Sequence, residues 1–570
     1  MKVAVAGTFT LHKLQPMLEE GGKSEDVSIQ ARVYTSYNLC ADEICNKASD
    51  LNGFRPDVLF ILLDIRSLIP EYLGLAHTSK EEKKRIIADK LEYIKRLAAI
   101  FMENNSGAML VIHNLEIPAY SPLGILDKKV EMGMKDCIRM LNTSLEEEFR
   151  NQKSVYVFDY DGFLSKHGKK SAFDPRFYYL ADMKLHDGMM RELAKEYMAY
   201  IKPLKRLRKC IVLDLDNTLW GGIVGEDGFD KIKLGPTPPG NAFVEFQKIL
   251  LALFEKGIIL AINSKNNLED GLKVIREHPH MILREKHFST MRINWQDKAA
   301  NLKEIAEELG IGIDSIVFVD DDKLNRLRIK SVFPEVLVVE LPEDPSFYAE
   351  TVMELNDFNT LQLTEDDKSR GRMYAEERQR KELQSKFSDM AGFLRELQIK
   401  VEIEEANSFT IPRISQLTNR TNQFNLTTRR YSEAEIERFS QDRNCYVCSI
   451  KASDKLGDNG TVGCAILKIQ GDDAIIDTFL MSCRILGRQI ENAFLSHLLE
   501  RAKSRGVSRV IGEYMPTKKN EQTREFYRDG GFFLIEKKDD GYARWGLDVS
   551  SYQIAYPDFI EVMREVSADA

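Results

Sequence analysis

The chain has 570 residues, 43% of them apolar and 30% charged, with a formal net charge of −9. That length is too great for a single core and points to three or four domains, and the acidic balance argues against nucleic acid as the main partner, since phosphate backbones select basic surfaces. No apolar run approaches the roughly 20 residues of a membrane span, the N-terminus enters a strand without the apolar stretch of a signal peptide, and eight scattered cysteines read as reduced thiols; the expected location is the cytoplasm. One Cys-x-x-Cys, Cys445 to Cys448, has no second pair at zinc spacing.

In residues 1–200 short apolar runs alternate with amphipathic stretches. Residues 3–6, 58–63, 109–113 and 155–158 read as buried strands, and 80–104 and 130–152 as helices between them. Such alternation implies a parallel sheet with helices on its faces. A basic run over 202–209 reads as a solvated linker. In residues 205–345 the alternation resumes, with strands at 210–215, 258–262, 316–319 and 336–339 and helices near 241–256, 268–276 and 298–309. Residues 346–400 are polar, with a helical pattern over 368–397, and read as a connector. From 401 to 548 the order becomes strands, a helix near 489–504, then strands, which is a third, mixed α/β domain; 549–570 is left as a tail. The expected class is multidomain α/β.

The chemistry concentrates after the strand at 210–215, where Cys210-Ile-Val-Leu leads into Asp214-Leu-Asp216-Asn-Thr218. In open α/β sheets ligands bind at the carboxyl ends of strands, and the turn there can aim both carboxylates at one site. One carboxylate can attack phosphorus, and the other can protonate the leaving oxygen and later activate water. Two carboxylates would repel a phosphate, so a divalent oxygen-seeking cation is needed, with Mg²⁺ the usual choice. Ser264 ends a second strand with a hydroxyl, Lys298 opens a helix with a cation, and Asp320 and Asp321 end a third strand with carboxylates. Each piece alone is common; the ordered set, each member at a strand end or helix start, defines a phosphoryl-transfer site.

These motifs resemble the FkbH-like branch of the haloacid-dehalogenase superfamily. The resemblance is carried by Asp214-Leu-Asp-Asn-Thr-Leu-Trp-Gly-Gly-Ile-Val-Gly-Glu-Asp-Gly228, Ser264-Lys-Asn-Asn267, Asn294-Trp-Gln-Asp-Lys298, Phe318-Val-Asp-Asp321, Leu417-Thr-Asn-Arg-Thr-Asn-Gln-Phe424 and Ser482-Cys-Arg-Ile-Leu-Gly-Arg488. It covers about residues 205–535 closely and the N-terminal part loosely. It implies Asp214 as nucleophile and metal ligand, and Asp216 as general acid/base whose backbone carbonyl reaches the metal. It implies Lys298 as charge stabiliser and Thr218, Ser264, Lys265 and Asn266 as substrate contacts. Asp321 would be the third metal contact, with Asp320 as rival. It further implies that 1,3-bisphosphoglycerate is dephosphorylated and a glyceryl unit loaded onto an acyl carrier protein, for polyketide or related secondary-metabolite synthesis. Two departures stand out: Asn263 occupies the position before the motif serine where the family usually has cysteine, and Asp322-Lys323 replaces an Asn-Pro. A plain phosphatase or phosphotransferase on another small metabolite is the first alternative, and a non-catalytic carrier-protein docking module the second.

The C-terminal domain resembles a GNAT-type acyltransferase, its Arg484, Gly487 and Arg488 suiting an acyl-CoA or phosphopantetheine thioester at a helix N-terminus. Cys483 beside them is a structural cysteine or an acyl-carrying thiol. The polar segment 418–430 lines a ligand groove or caps helices. The N-terminal domain looks like a flavodoxin or SGNH-hydrolase relative. Thr8, Thr10, His113, Asn114, Asp182 and His186 make a hydrolase site conceivable there, while a non-catalytic domain is the favoured reading.

Overall fold

The computed structural model describes the whole chain except residues 26, 36, 206–207, 362, 364, 483–484, 518 and 565–570. The chain forms two compact units, Met1–Arg208 with Met353–Leu363, and Lys209–Val352 with Thr364–Ala570. Among the described residues no helix is long and apolar enough to cross a membrane.

In the first unit, strands β1 (Lys2–Gly7), β2 (Gln30–Thr35), β3 (Val58–Leu62), β4 (Met109–His113) and β5 (Val155–Phe158) form one parallel sheet, ordered β2-β1-β3-β4-β5. β3 and β4 are buried at every position and β1 at every position but its first. Helices cover both faces, so these strands are apolar throughout. β2 lies at the edge and buries only Ala31 and Tyr34, and its mixed composition gives no strand signal. The helix expected at 80–104 is found as Lys80–Asn104, capped by the Ser79 side chain. Lys202, expected in a solvated run, instead pairs with Glu25 (2.8 Å) and Asp357 (3.3 Å) and is largely buried.

The second unit holds two sheets. Strands β6 (Cys210–Leu213), β7 (Ile259–Ser264), β8 (Phe288–Ile293), β9 (Ile316–Val319) and β10 (Leu337–Val338) are all parallel, ordered β10-β9-β6-β7-β8. β8 escapes sequence reading because it is a polar edge strand, Phe-Ser-Thr-Met-Arg-Ile. The other sheet contains β11 (Ile399–Glu405), β12 (Phe424–Asn425), β13 (Cys445–Asp454), β14 (Gly457–Gln470), β15 (Asp473–Met481), β16 (Arg509–Tyr514), β17 (Phe533–Lys537), β18 (Ala543–Asp548) and β19 (Ile560–Arg564). Its path is β17-β18-β16-β15-β14-β13-β11-β19, with β12 on β15. Only the β15–β16 and β11–β19 pairs are parallel, which makes this the mixed α/β domain expected. β19 lies in the segment read as a tail: its pairing with β11, Ile399 opposite Ile560 onward, gives it a ladder that no local pattern announces.

The expected helix at 368–397 is two helices, Glu365–Gln384 and Met390–Leu397, the second started by an Asp389 cap. The first touches both sheets of the unit. Arg378 donates to the Phe288 carbonyl of β8 (3.1 Å), and Arg380 makes a two-pronged pair with Asp454 of β13 (2.8 and 2.9 Å).

Candidate active site

β6 is the middle strand of its sheet, between β9 and β7. Its four residues are wholly buried, so the first polar side chain can appear only past its carboxyl end, at Asp214. The Asp214 amide donates to the Val319 carbonyl (3.0 Å), holding the two strand ends side by side. Beyond it the chain reverses through Asn217, whose φ of 53° lies in the left-handed region that asparagine tolerates. The Asn217 side chain accepts from the Gly222 amide (2.8 Å) and closes the turn. Asp216 is thereby fixed on both oxygens. Oδ1 accepts from the Trp220 indole (2.8 Å) and the Val224 amide (3.1 Å), and Oδ2 accepts from Asn266 Nδ2 (2.8 Å).

Lys298 opens the helix Lys298–Leu309, whose N-terminus Asp297 caps through the amides of Ala299 and Ala300. Its Nζ lies 2.8 Å from Asp214 Oδ2 and 2.6 Å from Asp320 Oδ2. Asp320 Oδ1 accepts from the Asp322 amide (2.9 Å) and Asn325 (3.3 Å), and Asp321 Oδ1 accepts the Thr218 hydroxyl (3.3 Å). Asp214, Asp320 and Asp321 each offer an oxygen, all within 4.8 Å of one another.

The electrostatics follow from this crowding. Burial, then the charge of Asp214, raises the Asp320 carboxyl, and Lys298 opposes the rise. Burial, then Asp214 and Asp320, pushes Asp321 up to about 6. Burial also raises Asp216, against the Val224 amide and the Trp220 indole. At Lys298 burial works to lower the pKa, but Asp214 and Asp320 outweigh it and the net shift is upward, so the ammonium stays charged. Three converging carboxylates around one ammonium form an all-oxygen set with excess negative charge, and this set fits a small divalent cation. Asp320 is engaged on both oxygens, and so is Asp214, whose Oδ1 accepts from the Leu215 amide (2.8 Å) and whose Oδ2 meets Lys298, so Asp321 is the least committed of the three.

The structure therefore brings Asp214, Asp216, Thr218, Lys298, Asp320 and Asp321 to one strand edge. Ser264 is buried at the adjacent end of β7, Asn266 is buried against Asp216, and Lys265 is exposed at the rim. Sequence reading missed Trp220, although a buried indole N–H needs a partner and so hints at its role. It also missed Arg326, whose Nη1 binds the carbonyls of Asp320 (2.8 Å) and Asp321 (2.6 Å) and shapes their loop.

Arg484 and Cys483 lie outside the described residues. Gly487 is exposed with φ 80° ahead of the helix Ile490–Ser504. Arg488 is corrected: its guanidinium is buried and turned inward to Glu377 and to Asp454 (3.4 Å), because the buried Asp454 carboxylate needs compensating charge. The β15–β16 ladder stops at Ile476–Gly512, and beyond it β12 occupies the β15 edge, Phe424 opposite Met481, while the Met515 amide donates to the Leu426 carbonyl (2.8 Å). In the polar segment 418–430, Thr427 and Arg429 are tied into the fold. Thr427 donates to the Asp477 carbonyl (2.8 Å), and Arg429 binds Asp477 (2.9 Å) and Glu513 (2.8 Å).

Among the described residues of the first unit, the candidate hydrolase side chains Thr8, Thr10, His113, Asn114 and His186 each have another partner. Thr8 accepts from the Asp64 amide (2.8 Å), Thr10 donates to the Ala181 carbonyl (2.8 Å), and His113 is buried against the Tyr197 hydroxyl (2.9 Å). His186 caps a helix through the Met189 amide (3.3 Å), and Asn114 donates to Asp159 (2.9 Å).

Fold and site define a multidomain α/β protein whose parallel sheet β10-β9-β6-β7-β8 carries a carboxylate cluster at the end of its middle strand. The chain is similar to a crystal structure of the N-terminal part of the protein BF1531 from Bacteroides fragilis, described as containing a phosphatase domain and complexed with Mg. Identity is 28%, 64% of this chain and 94% of that chain are covered, and the TM-score is 0.58. Residues 2–202 match the family model described as FkbH, N-terminal domain. Further matches are the ribosomal-protein-S18-alanine N-acetyltransferase from Escherichia coli (17% identity, 27% of this chain and 96% of that chain, TM-score 0.22) and Rv2747 from Mycobacterium tuberculosis in complex with CoA and NLQ (18% identity, 26% and 98%, TM-score 0.21). No curated protein matches the chain.

Proposed function

We propose that the protein is a Mg²⁺-dependent phosphatase and glyceryl transferase. In this reading it takes 1,3-bisphosphoglycerate, removes phosphate and passes the glyceryl unit to the thiol of an acyl carrier protein. The observation that carries the reading is the clustering of Asp214, Asp320 and Asp321 within 4.8 Å of one another at the end of β6, with Lys298 bridging Asp214 and Asp320. Mg²⁺ held by Asp214 and Asp321 would neutralise phosphate charge and polarise the phosphoryl oxygens. Asp214 attacks phosphorus of the phosphoester, and the C3 oxygen departs with a proton from Asp216, which burial keeps protonated to higher pH than usual. Asp216 then takes a proton from the water that cleaves the aspartyl phosphate. Lys298 and Thr218 balance charge on the transferring group. The acyl phosphate remains for the carrier thiolate, which attacks the carbonyl carbon and expels inorganic phosphate.

Asp214→Asn is expected to lower phosphate release by about a thousandfold or more; turnover persisting unchanged removes the proposed nucleophile. Incubation with 1,3-bisphosphoglycerate and carrier protein, read by intact mass, should show the carrier gaining one glyceryl unit. Phosphate release without that gain favours the plain phosphatase. One observation favours that second reading: Asn263 stands where an acyl-carrying cysteine is expected, and its amide is committed to internal hydrogen bonds.

A further inference from the structure

Asn263 is the penultimate residue of β7 and fully buried. Its Nδ2 donates to the backbone carbonyl of Lys298 (2.8 Å), and its Oδ1 accepts from Asn301 Nδ2 (3.2 Å). The orientation of the amide is dictated, since only the NH₂ end can face a carbonyl oxygen. Asn301, one turn along the same helix, also donates to Asn294 Oδ1 (2.9 Å). The Asn294 amide in turn donates to the Ser264 carbonyl (3.1 Å), and its Oδ1 accepts from the Gln296 amide (3.0 Å). A chain of three asparagines thus ties the ends of β7 and β8 to the first turn of the helix Lys298–Leu309.

From this we propose that Asn263 is a positioning residue for Lys298, a reading that rests on the phosphoryl-transfer function above. A lysine reaches its target through four freely rotating bonds. Its ammonium is placed reproducibly only if the backbone at its root is immobile. Asp297 fixes that root from the N-terminal side by capping, and Asn263 fixes it from the strand side by holding the Lys298 carbonyl itself. Both anchors are needed because Lys298 Nζ must sit between Asp214 and Asp320 at 2.8 and 2.6 Å, and a shift of the helix start would draw it off both. An aliphatic residue at 263 leaves the Lys298 carbonyl and the Asn301 amide without this partner. A carboxylate there opposes the carbonyl oxygen and competes for the ammonium.

A double-mutant cycle tests this with the full-length protein, Mg²⁺ and orthovanadate as the phosphoryl mimic, binding being measured by calorimetry. Asn263→Ala is expected to weaken orthovanadate binding about tenfold, and by less than twofold when Lys298 is already methionine, since coupled residues lose additivity. An equal loss in both backgrounds, or no loss in the wild-type background, overturns the positioning role. Should the alanine variant not fold, Asn263→Thr, which suits a strand and keeps one donor, enters the same cycle with a loss of about threefold that again vanishes beside Lys298→Met. Wild-type protein that binds no orthovanadate with Mg²⁺ sinks the phosphoryl-transfer reading and the positioning role with it. Binding by the wild type with uncoupled losses sinks the positioning role alone.

Discussion

At Asp321 the carboxyl is pushed up to about 6 by burial and by the charges of Asp214 and Asp320, whereas an unfolded aspartate titrates near 4. Between those values the folded chain holds a proton that the unfolded chain has released. The stability this proton contributes is therefore lost as pH rises from about 4 through 6. A bound cation reverses the sign, because it selects the ionised carboxylates. The increase in Tm produced by Mg²⁺ is expected to grow from pH 5 to pH 7; a Mg²⁺ effect flat across that range contradicts the assignment of Asp321 to the metal. Lys298→Met removes the ammonium between Asp214 and Asp320. It should cost about 10² to 10³ in phosphate release and lower Tm most when Mg²⁺ is absent, which parallel melts with and without Mg²⁺ would show.

The elements around the site divide by how much of their environment is local. The runs at 3–6, 58–63, 109–113 and 210–215 are legible as strands because helices cover both faces and their interior positions are apolar, with His113 and Asp214 standing at or just past the strand ends. β2 and β8 are edge strands of mixed composition that pair on one side only, and in β8 even Ser289 and Thr290 are buried, so their composition does not separate them from loop. The helix Glu365–Gln384 is legible as a helix, but its function as a strut is not. Arg378 reaches β8, while Arg380, from the helix, and Arg488, from outside it, converge on Asp454 of β13. Breaking such a buried pair from one side costs about 3–5 kcal/mol. Arg380→Met and Arg488→Met should therefore both lower Tm by several degrees. If Arg488 instead bound a thioester pyrophosphate, its replacement would weaken CoA binding and leave Tm in place.

For the molecule as a whole, every side chain of the phosphoryl site comes from the unit Lys209–Val352 with Thr364–Ala570. A chain beginning at residue 209 should retain Mg²⁺-dependent phosphate release from a small phosphoester within about tenfold of the full protein. Loss of that activity, with Tm for this unit maintained, would assign the first unit a direct part in the reaction. Segment 353–363 shows how far local order misleads at this scale. It lies within a stretch read as connector, yet Phe358 is buried, Asp357 pairs with Lys202, and the Tyr156 hydroxyl donates to the Leu361 carbonyl (3.0 Å) in the first unit.

The sequence alone determined the strand-end acids, the lysine at a helix start and the order in which three sheets appear, because each is written in a local pattern of apolar runs closed by polar residues. Tertiary structure decided which of those groups meet. Placing Asp214 between Asp320 and Ser264 requires β6 to lie between β9 and β7, strands separated along the chain by whole helices. Turning Arg488 inward requires Asp454 to be buried beside it. Making Asn263 an anchor for Lys298 requires a strand and a helix start that only packing brings within 2.8 Å. Long-range pairing of this kind depends on which buried charges and carbonyls need a partner once the core has closed, and no window along the chain contains that information.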